Sequence, residues 1–147
     1  MNKLNAILLL LLLIWFTWLT HSSVLGDTIF TINFFHTETS YDLVTTLWWA
    51  VFTLLVIVYF VKPKIGKYAC AAFQLVWIIA QSMNFSMSPE VLVQYNRVFE
   101  NTHHIIAPSD TIWIPDTAHL ILFALLIMSF LTQLSLIIIS KKKVRNG

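Results

Sequence analysis

Residues 117–140 read TAHLILFALLIMSFLTQLSLIIIS and run straight into Lys141-Lys142-Lys143. The stretch holds no Asp, Glu, Lys, Arg, Gly or Pro. A hydrocarbon core of about 30 Å takes roughly 20 such residues as a helix. In lipid every backbone N–H and C=O must be satisfied within the segment, so the stretch is read as a transmembrane helix. Working outward, three more runs of the same kind appear at 4–22, 43–61 and 68–88, each free of charge, glycine and proline. The fold expected is an all-α integral membrane protein, a bundle of four transmembrane helices with a small extracytoplasmic cap. It forms a single domain with an outer loop at 23–42, an inner turn at 62–67, a second outer loop at 89–116 and a cytoplasmic tail at 141–147.

The composition agrees. Of 147 residues, 58% are hydrophobic and 11% are charged, against about half and about a quarter in a soluble domain. A soluble fold of this size would expose large apolar patches, and nothing here suits a disordered chain or a nucleic-acid binder. Cys70 is the only cysteine, which excludes an internal disulfide, a CxxC redox pair and a cysteine-rich metal site.

The few charges are sorted by side. Eight of the nine basic residues (Lys3, Lys62, Lys64, Lys67, Lys141, Lys142, Lys143 and Arg145) fall at the N-terminus, the inner turn and the C-terminus. Arg97 is the exception, and all seven acidic residues lie on its side. The excess of Lys and Arg in cytoplasmic segments places both termini in the cytoplasm, in a plasma-membrane, multi-pass arrangement. The first run also fits a signal peptide, with Val24-Leu25-Gly26 near a cleavage point. Retention is favoured, because Trp15 and Trp18 make a bulky outer end suited to an interfacial anchor. Trp48, Trp49, Tyr41, Tyr59 and Tyr68 fall at the two interfaces and are read in the same way.

The outer loops carry more pattern than connectors need. Residues 27–35, DTIFTINFF, favour a strand. Residues 103–107 and 111–114 flank Pro108-Ser109-Asp110 and read as strand, turn, strand. A sheet of two or three strands is expected over the outer mouth. Ser88, Pro89 and Glu90 signal a helix start, and Val91, Leu92, Tyr95, Val98 and Phe99 then recur at helical spacing.

Two constellations are candidates for function. On the third run Cys70, Gln74, Trp77, Gln81, Asn84 and Ser88 share an arc of roughly 80°. On the fourth, His119, Ser129, Gln133 and Ser140 do the same. Counted from the flanking lysines, Gln74 and Gln133 lie about 10 and 12 Å deep. A polar seam is expected between these two helices, either as glue or as a groove for a lipid-like or quinone-like ligand on Gln74, Gln81, Asn84, Ser129 and Gln133. The second constellation is His103, His104 and His119, which with Asp110 or Asp116 would suit zinc or copper, or a pH response. Successive residues of a strand point to opposite faces, and the spacing matches no established ligand motif, so ordinary polar loop residues are the plainer reading.

No ionisable residue lies in mid-membrane and no helix is interrupted, which speaks against ion-coupled transport. No phosphate loop or nucleophile motif is present, and no cofactor is implied. The expectation is a small non-enzymatic membrane protein acting through its outer loops as a partner subunit, sensor or protective factor. Its partners are the lipid bilayer and another membrane protein or a second copy of itself. The alternative is an enzyme or carrier with a ligand in the seam.

Overall fold

In a computed structural model, residues 2–25, 43–98 and 102–145 are described. Among them are five α-helices and no strand: α1 (Lys3–Leu25), α2 (Leu43–Val61), α3 (Pro63–Ser82), α4 (Pro89–Val98) and α5 (Thr117–Arg145). A single 3-10 turn, Met83–Ser86, extends α3. The chain is a membrane protein: α1, α2 and α5 contain stretches long and apolar enough to cross a bilayer, at Lys3–Thr20, Leu43–Val61 and Thr117–Lys141. The helix α3 is less apolar, because it carries Gln74 and Gln81 and opens with Lys64 and Lys67.

The four long helices form an up-down ring in which α1 and α3 each pack on α2 and α5. The direction is set by pairs of contacts. Asn5 Nδ2 donates to the Tyr59 hydroxyl (3.0 Å) at one end of α1 and α2, and Trp49 Nε1 donates to Thr17 Oγ1 (2.8 Å) nearer the other. Trp15 Nε1 donates to the Ala118 carbonyl of α5 (3.0 Å). Lys67 Nζ donates to Ser140 Oγ (2.9 Å), so the start of α3 meets the end of α5.

Every long helix turns the same kind of stripe inward. The buried positions are Asn5, Leu9, Leu12, Phe16 and Leu19 on α1, and Phe52, Val56 and Tyr59 on α2. Gly66 and Cys70, then Gln74 and Trp77, face inward on α3, and Ala118, Leu122, Leu126, Ser129 and Gln133 on α5. Spacings of three and four residues are those of an antiparallel bundle packed knobs into holes. Rings fill one level: Phe16 lies 4.4 Å from Trp77 between centroids, Phe52 5.6 Å from Trp77, and Phe73 4.9 Å from Trp48. Residues such as Ile14, Leu54 and Ile139, more than 60% exposed, point away from the bundle.

The expected inner turn at 62–67 shrinks to one residue. Lys62, at φ −133° and ψ 73°, is the only residue between α2 and α3. Pro63 presets the first helical turn, and the Lys62 carbonyl accepts from Gly66 N at 2.9 Å. The helix therefore starts before the expected boundary at 68 and hands over to the 3-10 turn before 88. Gly66 faces the Tyr59 backbone so closely that a Cβ on it would overlap that backbone.

The expected outer sheet is corrected in part. Residues 103–107 and 111–114 are irregular, and the possible strand at 27–35 lies outside the described residues. The reason is visible in where backbone groups go: the His103 carbonyl accepts from Thr117 N (2.9 Å), and the Ser109 carbonyl accepts from Asn96 Nδ2 (2.9 Å). These contacts tie the segment to α5 and α4. The expected short helix is present as α4, with the Ser88 carbonyl accepting from Leu92 N at 2.9 Å.

Candidate functional site

The first site is built on the first turn of α5. A helix start leaves four N–H groups without intrahelical acceptors. Asp116 caps this one: its Oδ1 accepts from His119 N (2.8 Å), and its carbonyl accepts from Leu120 N (2.9 Å). The ring returns the contact, with His119 Nδ1 at 3.0 Å from Oδ1 and 2.9 Å from Oδ2 of Asp116. The Thr117 N–H goes to the His103 carbonyl, and Thr117 Oγ1 lies 2.8 Å from His103 Nδ1. Next to them His104 Nε2 lies 3.1 Å from Thr102 Oγ1. The irregular segment is thus tied to the helix by backbone and side chain at once.

Asp116 is 1% exposed. Burial alone would push its carboxyl up, but it is held below the usual 3.8 by the His119 hydrogen bond and charge, the His119 backbone N–H and the nearby His104. A depressed folded value means the carboxylate stabilises the fold above the ordinary aspartate range. That stability is lost as pH falls through the folded value, below 3.8. Comparing the parent with Asp116→Asn, the stability difference is expected to persist at about pH 5 and to shrink at about pH 3 and below. A difference already gone at about pH 5 would refute this assignment.

Trp113 anchors the same segment. It is buried, and its ring meets Phe85 edge-on at 5.1 Å and Tyr95 of α4 at 6.1 Å. Burial pushes the Tyr95 phenol up, so it stays protonated. Outside the bundle, on α4, the Glu90 carboxyl is held down by its own backbone N–H and the Ser88 hydroxyl.

The structure therefore brings His103, His104 and His119 to one end of the bundle around Asp116 and Thr117, while Asp110 stays exposed. Among the described residues no three His, Cys, Asp or Glu side chains are grouped as a metal ion needs. The contacts above turn both Asp116 oxygens to His119 and the His103 Nδ1 to Thr117.

The second site is the interior between α3 and α5. Gln74 Nε2 donates to Ser129 Oγ at 2.8 Å, and Gln74, Ser129 and Gln133 are fully buried. Of the expected seam residues, the structure brings Gln74 and Ser129 into contact. The seam's outer members do not join them: Gln81 is half-buried and accepts from Asn84 Nδ2 on its own helix at 3.2 Å. Sequence reasoning missed Asn5, fully buried and bonded to Tyr59. The signal was there, since Asn5 is in register with Leu9, Leu12, Phe16 and Leu19. It also read Trp15, Trp49 and Tyr59 as interfacial, whereas Trp15 and Trp49 hydrogen-bond across helices and Tyr59 is buried against Asn5.

No protein-family model, curated protein or solved structure matches this chain.

Proposed function

We propose that the chain is a four-span protein of the cell membrane with both termini in the cytoplasm, and that it serves as a non-catalytic partner subunit engaging another membrane protein through its outer segment. Four spans are supported by the place of α3, antiparallel to both its neighbours and level with them from Lys67 beside Ser140 of α5 to Trp77 beside Phe52 of α2. The orientation is supported by the basic residues, eight of nine of which fall at one end of that ring.

The observation that carries the functional reading is the lock between residues 102–116 and α5. Asp116, His119 Nδ1, His103 Nδ1 and Thr117 hold the segment against the first turn of α5. A preorganised surface loses less entropy on binding. The surface so held presents Ile105, Ile106 and Ile112, each more than 60% exposed. Apolar side chains displayed on a rigid frame suit a protein contact.

Photo-crosslinking amino acids placed at Ile105 and Ile112, in the native membrane, test this. The expected result is one discrete protein adduct from both positions that disappears when Asp116→Ala releases the frame. Adducts to lipid alone, or a protein adduct indifferent to Asp116→Ala, would overturn the reading.

A further inference from the structure

The interior between α3 and α5 is unfinished as a hydrogen-bonded structure. Gln74 and Gln133 each lie seven residues from the Lys67–Ser140 contact, on helices running in opposite senses. At 1.5 Å per residue both amides sit about 10 Å in from that end, level with each other. Ser129 is one turn further along the same face of α5 and takes the Gln74 Nε2 bond. What remains is Gln74 Oε1 and both amide atoms of Gln133, all three buried and without a partner. Asn5 Oδ1, nearer the same end, is a fourth. Buried polar atoms in folded proteins are nearly always satisfied, and one left bare destabilises the fold.

We infer that Gln74, Ser129 and Gln133 form a seat for a small neutral group that offers both a hydrogen-bond donor and an acceptor, a hydroxyl supplied by water or by a lipid-soluble molecule. Neutrality follows from the surroundings, since no acidic or basic side chain lies at this depth and an unpaired charge there is costly. The need for both functions follows from Gln133, whose amide lacks an acceptor for its N–H and a donor for its oxygen. Access is from the end marked by Lys67 and Ser140, because toward the other end Phe16, Phe52 and Trp77 close the middle of the bundle. This site stands whether or not the outer segment binds a partner.

The test uses the full chain, labelled with 15N-glutamine, first in its native lipid extract and then in nanodiscs of phosphatidylcholine. The side-chain amide signals of Gln74 and Gln133 are assigned by their loss in Gln74→Met and Gln133→Met. Water is the probe, read by magnetisation transfer to those amides in solid-state spectra, and the extract is searched by mass spectrometry for a compound held one to one. Transfer from water identifies water as the occupant. Amides dark to water with a stoichiometric hydroxyl compound identify the lipid-soluble source. In either case Gln133→Met, of similar volume but apolar, is expected to lower the thermal midpoint by about 5 °C. Two results would overturn the site. One is a Gln133→Met midpoint at or above the parent's, as removing a bare buried amide would produce. The other is amides dark to water with no compound bound.

Discussion

Gly66→Ala is expected to lower the stability of the bundle by about 2–3 kcal/mol, although alanine is the better helix former. Intrinsic propensity favours the change by about 1 kcal/mol. Against it stands a methyl group placed 2.5 Å from Tyr59 N, 2.9 Å from its Cβ, and closer still to its Cα. A flexible side chain would move aside; backbone of a packed helix does not, so α2 and α3 must part. The one-residue link through Lys62 holds them together just where they would have to separate. Parting them also strains contacts further along the pair, where Cys70 Sγ donates to the Leu55 carbonyl at 3.3 Å and Phe52 stacks on Phe73 at 5.8 Å. Overpacking typically costs about 1–3 kcal/mol, and a backbone neighbour puts this site at the upper end. Unfolding midpoints of parent and variant in mixed micelles measure it. A variant as stable as the parent would mean that the close approach of α2 and α3 is not a feature of the folded protein.

Asp116→Ala is expected to cost about 2–4 kcal/mol and to release the outer segment. Two losses combine. Removing an N-cap side chain costs about 0.5–2 kcal/mol. Removing one partner of a buried pair leaves the other unanswered, with values of about 3–5 kcal/mol when both groups are deep. Here the His119 side chain retains 22% exposure, so part of that cost is recovered from solvent. Hydrogen exchange should rise at Thr117 and His119 and through residues 102–116 while the middle of α5, near Leu126, stays protected. Uniform exchange across the whole chain would show instead that Asp116 supports global folding rather than the outer lock.

How much of this was legible in the sequence differs from residue to residue. The helices around Phe52 and Leu126 were plain, because in lipid an apolar run has no other way to satisfy its backbone. The helix at Pro89–Val98 was plain from its cap and spacing. Gln74 and Gln133 were placed at nearby depths, because helical rise is constant and the flanking lysines give a common reference. The strands expected at 103–107 and 111–114 were misread from local preference. Strand formation needs a partner ladder, and tertiary contacts that no local pattern announces decide whether one forms. The Gly66 contact was equally hidden, since it depends on how closely two helices approach.

The amino-acid sequence alone determined that this is a helical membrane protein and which stretches form its apolar helices, because burial in hydrocarbon leaves the backbone one solution; it did not fix the ends of α3. It did not determine which side of each helix faces inward. Lipid tails are as apolar as leucine, so hydropathy does not distinguish a face toward lipid from a face toward the core. Only the tertiary structure decided that Asn5, Gln74, Ser129 and Gln133 share the interior with the aromatic cluster, and that Asp116 binds the outer segment to α5. Those contacts join residues up to 103 positions apart in the chain, as Trp15 and Ala118 are, and they exist only once four helices have closed into a ring.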